Sequence, residues 1–275
     1  MNNKIKDIIE KLKSDKKTLA VVCVGIICVC VGLFGVISAL TEYLSADKKY
    51  ADLENEFLVS HNKLGKIETN EIEWYELARI DLNALKQSYP EVVGWIIFEN
   101  EEISYPIMQA DNVKYLTTSY DGTQSKPGSI FMDEANSSYF TDSHTLIYGH
   151  NMRNLSMFGR LKYYKTKDDY YESHKYFQIY TDDEILRYQI FYAQDISETS
   201  YIYMDKTLSA GTLASLMRKS SIIDNDIPIS DGDKIVTLST CTAEDDKRFV
   251  VSGVLVDRYS LLEEELIETT EDTQE

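Results

Sequence analysis

Hydrophobic and polar positions change their spacing three times along these 275 residues. The 24 residues from Thr18 to Thr41 carry no charge, and Leu19–Phe34 within them is apolar on every side of a helix rather than along one stripe. At about 1.5 Å of rise per residue, such a run reaches roughly 36 Å, enough to cross a hydrocarbon core of about 30 Å. It predicts a transmembrane helix over 18–41. Two other readings compete: a buried helix of a soluble core, and a cleaved signal peptide. The latter has a shorter apolar stretch of about 7–15 residues and a small-residue cleavage site, for which Ser38-Ala39 is a poor candidate.

Beyond the apolar run the spacing becomes that of amphipathic helices. Residues 42–64 read as a polar helical stalk, with Tyr43, Tyr50, Leu53, Phe57 and Leu64 recurring every three to four positions. Thr69-Asn70-Glu71 predicts the start of a second helix over 71–88. Its apolar face is Trp74, Ala78, Leu82 and Leu85, and the Tyr89-Pro90 step stops it.

From there the period shortens to that of strands. Val92–Phe98, Ile103–Ile107, Ser129–Met132, Thr145–Tyr148, Tyr176–Tyr180, Ile185–Ala193, Lys234–Ser239 and Phe249–Val256 are β-rich, with turn signals such as Asp121-Gly122, Pro127-Gly128 and Asp231-Gly232 between them. One helix, Leu208–Lys219, interrupts them ahead of the seventh. Eight strands with few helices predict a closed barrel of antiparallel or mixed type.

Charge sets the orientation and narrows the partners. Lys4, Lys6, Lys11, Lys13, Lys16 and Lys17 precede the apolar run, whereas Glu42 and Asp47 follow it, so the positive-inside bias keeps the N-terminus cytoplasmic and everything after the run outside. The net charge of −18 argues against general binding to nucleic acid, whose affinity comes mostly from cationic contacts to phosphates. From Glu263 to Glu275 there are seven acids and no base, the composition of a solvated, disordered end. Cys23, Cys28 and Cys30 fall inside the apolar run. Cys241 is thus alone in the outer region, without a partner for an internal disulfide, and is either an inert buried thiol or one kept for its reactivity.

Cys241 closes the β-rich run Ile235–Cys241 and is followed by the polar segment Thr242–Lys247, so it sits at a strand end facing a loop. Arg248 opens the next strand and becomes its neighbour if the two strands form a hairpin; a nearby cation lowers a thiol pKa. Of the four histidines, His61 and His174 lie in polar stretches and His144 precedes a strand. His150 follows one, in Thr145–Met152, in a position that matches that of Cys241. A Cys/His pair supports acyl transfer through a thioester. The rival reading of His and Cys, a metal site, lacks any Cys-x-x-Cys or His-Glu-x-x-His.

Thr237-Leu238-Ser239-Thr240-Cys241, with an Arg following to open a strand, resembles the active-site signature of sortases, the cysteine transpeptidases of Gram-positive cell surfaces. Leu146-Ile147-Tyr148-Gly149-His150-Asn151-Met152 is similar to the family's histidine motif. Val93–Ile96, Tyr105–Gln109, Asp111-Asn112, Tyr115-Leu116, Gly128–Asp133, the N-terminal helical extension and the inserted helix 208–219 resemble class B members. The similarity covers about residues 70–258.

The resemblance implies an eight-stranded sortase-type β-barrel, mainly β with added helices. It also implies a division into a cytoplasmic tail (1–17), a transmembrane helix (18–41), a helical stalk (42–70), a catalytic domain (71–260) and an acidic disordered tail (261–275). By the same resemblance Cys241 is the nucleophile, His150 the general acid/base and Arg248 the group that stabilises the oxyanion or holds the peptide. Arg258 is the alternative arginine. Asn112, Leu116, Ser239, Thr199 and Tyr203 are implied as substrate contacts.

The implied reaction cleaves a C-terminal sorting signal after Thr and transfers the secreted protein to an amine of peptidoglycan or its lipid-linked precursor, with no cofactor or metal. The chain is then a single-pass membrane protein with an extracellular catalytic domain. A thiol hydrolase and a non-catalytic membrane-tethered module are the alternatives.

Overall fold

The computed structural model describes residues 16–61, 73–241 and 246–262. Most of the expected cytoplasmic tail, the second part of the stalk, most of the Thr242–Lys247 loop and the acidic run from Glu263 lie outside the described residues. The chain divides after Ala46 into two compact units. Helix α1 (Lys16–Phe57) contains the apolar run, whose side chains are uncovered: Val21 is 71% exposed and Phe34 74%. Its mean hydropathy reaches 3.0, so by length and composition it can cross a membrane.

In the second unit, the end of α1 is docked rather than a free polar stalk. Leu53 and Phe57 are buried in one cluster with Leu82, Leu85, Val92, Trp95 and Ile97. The helix stops at Phe57, and β1 (Leu58–His61) pairs antiparallel with β2 (Ala78–Ile80). That pairing breaks the helix expected over 71–88. A 3-10 turn at Trp74–Glu76 is followed by β2 and then by helix α2 (Leu82–Ser88). Asp81 causes the restart, because its carboxylate accepts the Ala84 N–H at 2.9 Å and caps a new helix. Ala78, Leu82 and Leu85 are still buried, so the spacing marked the core face correctly but not the break.

The remaining strands are β3 (Val92–Phe98), β4 (Ser104–Met108), β5 (Ile130–Met132), β6 (His144–Tyr148), β7 (Tyr176–Tyr180), β8 (Glu184–Ser197), β9 (Ile235–Cys241) and β10 (Lys247–Ser260). They close into a barrel in the order β10-β8-β7-β3-β4-β5-β6-β9. Pairing is antiparallel except for β4 with β5 and β6 with β9. The mixed barrel expected from the spacing is therefore the fold. Closure leaves the barrel itself without an open edge.

Alternation along β3 sorts its side chains between two apolar layers. Trp95 and Ile97 join the outer cluster under α1 and α2, while Ile96 and Phe98 take the other face. Phe98, Phe177 and Tyr188 stack in succession, with centroids 5.4 and 5.1 Å apart. A second outer cluster forms where helices α5 (Tyr201–Met204) and α6 (Ala210–Arg218) cover the barrel. Ile202, Leu213, Ala214 and Met217 meet Phe191, Tyr192, Val250 and Val254. Two single-turn helices, α3 (Tyr163–Thr166) and α4 (Tyr170–Ser173), precede β7.

Gly253 makes room for this aromatic stack: a Cβ there would lie 2.7 Å from the Phe177 ring and 3.0 Å from Tyr188 Cβ. We expect Gly253→Ala to overpack the barrel, costing about 1–3 kcal/mol. Urea unfolding followed by circular dichroism checks this through a lowered midpoint with an unchanged native spectrum.

Candidate active site

The parallel pairing of β6 with β9 runs from His144 opposite Ile235 to Tyr148 opposite Ser239, and is extended by a hydrogen bond from Gly149 N to Ser239 O at 3.1 Å. His150 and Cys241 each lie two residues beyond the Tyr148–Ser239 pair, so two residues distant in sequence reach the same rim on neighbouring strands. β9 and β10 form the hairpin anticipated above, in which Arg248 is the Cα partner of Cys241. Arg258 lies ten residues further along β10, roughly 33 Å away at strand rise, and is paired with Glu184 at 2.8 Å. Arg248 is thus the arginine at this rim.

A cleft of about 320 Å³ opens there, and its lining includes Asn112, Leu116, Phe131, Tyr148, His150, Glu198, Tyr203, Ser239, Thr240 and Arg248. Six of the residues expected from sequence therefore share one concavity. Thr199 does not line it; it is exposed, with its hydroxyl 2.9 Å from that of Ser197.

His150 is half-buried, and its Nε2 is 2.7 Å from the carbonyl oxygen of Leu116. Since a carbonyl only accepts, this contact places the proton on Nε2 and leaves Nδ1 as the nitrogen that can gain or lose one. The carbonyl is itself held in place. Leu116 ends a 3-10 turn (Lys114–Leu116), whose entry is fixed by Asp111 Oδ1 accepting the N–H groups of Val113 and Lys114 at 2.9 and 2.8 Å. Gly128, at φ 58°, packs beneath it, where a Cβ would come within 2.3 Å of Tyr115 O and 2.9 Å of Leu116 O. Only glycine fits this approach.

Arg248 donates from one terminal nitrogen to Lys247 O at 2.8 Å and from the other to Glu198 Oε2 at 3.2 Å. The ion pair ties the start of β10 to the end of the neighbouring β8 segment. The hydroxyls of Tyr203 and Ser239 are 2.8 Å apart, joining α5 to β9.

Sequence reasoning missed the group that organises the rest of the wall, Asp133, which had figured only as the last residue of a motif. It is 5% exposed. Its carboxylate accepts from Lys206 Nζ at 2.6 Å, Tyr148 Oη at 2.9 Å, Asn112 Nδ2 at 3.2 Å and Ala135 N at 3.0 Å. Asn112 Oδ1 in turn accepts the Glu134 N–H at 2.9 Å. Burial alone raises a carboxyl pKa, but the donors from Lys206, Ala135 and Tyr148 outweigh it and hold Asp133 below the ordinary carboxylate value. The same carboxylate, after burial, keeps the Tyr148 phenol protonated by raising its pKa. No feature of Lys206 in the sequence points to this ion pair.

The other histidines stand elsewhere. His144 is half-buried at the start of β6, 2.8 Å from Thr237 Oγ1, and desolvation of the ring, with Lys206 nearby, lowers its pKa to about 4. His174 stacks on Tyr170 at 3.7 Å. The described residues hold no group of three His, Cys, Asp or Glu arranged for a metal ion.

A closed, mixed eight-stranded barrel with an inserted helical cover and a His/Arg-lined cleft at the rim of two parallel strands defines the class. A family model for the sortase domain matches residues 99–256. Sortase B of Listeria monocytogenes is 33% identical over 187 residues, covering 65% of this chain and 75% of its own. The crystal structure of sortase B from B. anthracis superposes with a TM-score of 0.65 at 30% identity, covering 79% of this chain and 99% of that one. A substrate complex of Staphylococcus aureus sortase B gives 0.59 at 28% identity, covering 64% and 84%. The chain belongs to the sortase family of transpeptidases, and within it to class B.

Asp133 supplies a pH test. A depressed carboxyl pKa contributes stability that is complete above the unfolded value near 3.9 and is lost as pH falls through the folded value. We expect Asp133→Asn to be less stable by about 1–3 kcal/mol at pH 7. The parent should lose more melting temperature than the variant between about pH 5 and 2, and parallel curves would refute the assignment.

Proposed function

We propose that this protein is a membrane-anchored sortase in which Cys241, His150 and Arg248 carry the reaction. The observation that carries the reading is the shared rim: β6, β9 and β10 bring a histidine, a cysteine and an arginine to consecutive strand ends beside one cleft. The Cys241 thiolate attacks the carbonyl carbon of a Thr within a C-terminal sorting motif. The developing oxyanion is stabilised by the Arg248 guanidinium. As the tetrahedral intermediate collapses, the C–N bond breaks, His150 gives a proton to the leaving amine, and a Cys241 thioester remains. An amine of peptidoglycan or its lipid-linked precursor then attacks the thioester. His150 takes the proton from that amine, a new amide bond forms and the thiolate leaves.

Asn112, Leu116, Tyr203 and Ser239 line the peptide-binding wall in this reading, and the ties Asn112–Asp133 and Tyr203–Ser239 limit the rotamers of those polar side chains before substrate arrives. Thr199 is retained only as a contact reached by a longer peptide at the margin. The apolar part of α1 serves as the anchor, with the lysine-rich N-terminus cytoplasmic and the barrel outside. Tethering places enzyme, secreted substrate and lipid-linked acceptor on one surface and raises their effective concentration.

The direct test incubates the protein with labelled peptides of the Asn-Pro-x-Thr and Pro-x-Thr-Gly types, with and without a primary-amine acceptor. Amine-dependent transfer is expected from the parent and none from Cys241→Ala; product from that variant would remove the thiol from the mechanism. Release to water alone would make the protein a hydrolase. Arg248→Lys keeps the charge but loses the planar fork, and we expect roughly 10²–10³-fold lower kcat with the fold intact by circular dichroism. Near-parental turnover would assign Arg248 to the surface.

A further inference from the structure

The carbonyl that holds His150 is connected, on the side away from the cleft, to one turn of helix α1. Tyr50 is buried, and its hydroxyl donates to Gly128 O at 2.9 Å while standing 3.1 Å from Ser129 Oγ. Ser129 donates its N–H to Tyr115 O at 3.0 Å and its hydroxyl to Thr118 O at 3.0 Å. Gly128 and Ser129 are thus pinned from one side by Tyr50 and support, on the other, the turn whose last carbonyl meets the imidazole. Lys49 grips the same loop further along, with Nζ 2.8 Å from Asp121 Oδ2 and 2.7 Å from Thr123 Oγ1.

The loop that follows His150 is tied to the same helical turn. Asn154 Nδ2 donates to the Asp47 carboxylate at 3.0 and 3.2 Å. The Tyr50 ring packs edge-on against Tyr105 at 5.3 Å, and the Tyr105 hydroxyl accepts the Met157 N–H at 3.0 Å. This loop holds Leu155 and Met157 at φ 71° and 53°. Side-chain-bearing residues seldom adopt that backbone and keep it only where surrounding contacts impose it. Asp47, Lys49 and Tyr50 therefore reach both segments that flank His150.

The geometry points to the α1 turn Asp47–Tyr50 as a positioning element for His150, acting through Leu116 O on one side and the 151–157 loop on the other. The chain segment that follows the apolar run is then part of the catalytic apparatus and not only a tether. A small displacement of the imidazole from its reactive position is enough to cost a large factor in rate, because proton transfer requires hydrogen-bond reach. This inference rests on the proposed role of His150.

The test uses the full chain in detergent micelles, with Tyr50→Phe, which removes one oxygen and keeps the ring contacts. We expect roughly tenfold lower kcat at unchanged KM in the peptide-transfer assay. The His150 Nε2 resonance, which reports the hydrogen bond to Leu116 O, should also move, read by 15N NMR of histidine-labelled protein and assigned with His150→Gln. Arg248, Glu198 and Tyr148 line the same cleft in parent and variant, so the difference between the two spectra isolates the tie.

Lys49→Met, a change at a partly exposed side chain, provides a second variant should Tyr50→Phe not fold; a loss of roughly threefold in kcat is expected. Parental kcat together with a parental His150 Nε2 resonance in a folded variant overturns the inference, as does a lowered melting temperature with both unchanged. If His150→Gln itself retains turnover, the proposed mechanism has failed. If it abolishes turnover while Tyr50→Phe does not reduce it, only the positioning role has failed.

Discussion

The parallel register between β6 and β9 is the constraint on which the site depends. Side chains alternate along a strand, so a slip of β9 by one residue in this pairing would turn Ser239 away from the cleft that Tyr148 lines and put His150 and Cys241 at different heights. Parallel neighbours cannot be joined by a tight turn, and the chain between Tyr148 and Ile235 leaves the rim, builds β7, β8, α5 and α6, and returns. That excursion also supplies Tyr203, Lys206 and Glu198, so the connection required by the topology furnishes one wall of the cleft.

A second level of organisation comes from one buried carboxylate. Asp133 gathers donors from the loop after β4, from β6 and from the segment after α5, linking three parts of the cleft wall to a single charge. Removing a carboxylate from water is costly unless its lone pairs are used, and here the donors use them. The result is a wall whose polar side chains are oriented in advance of any ligand. The Tyr203–Ser239 contact extends this order across to β9.

The N-terminal helix combines two environments in one element. Its first part is apolar on all sides and uncovered; from Asp47 onward it presents Tyr50, Leu53 and Phe57 to the barrel and charged residues to the loops. The transition from all-round to one-sided hydrophobicity marks where the helix begins to pack on protein. Docking from Asp47 onward ties this part of the helix to the loops that flank the imidazole.

The amino-acid sequence by itself determined the order of the eight barrel strands and the place of the apolar helix. Period-two runs located β3 and β7 to the residue and the other barrel strands to within a few, and the uncharged stretch 18–41 stood out by composition alone. The motifs around His150 and Cys241 were legible because they combine strand, turn and chemistry over a few adjacent residues. Tertiary structure decided the rest. It broke the 71–88 helix at Asp81, since the side-chain cap and the β1–β2 pairing outweigh a helical spacing that either conformation satisfies. It docked Tyr50, put Arg248 at the rim and Arg258 away from it, and left Thr199 outside the cleft. It also made Asp133 the centre of the wall, through partners as far as 73 residues along the chain. Local patterns record which face of each segment avoids water; they carry no information about which distant donor meets which acceptor until closure of the barrel fixes the register.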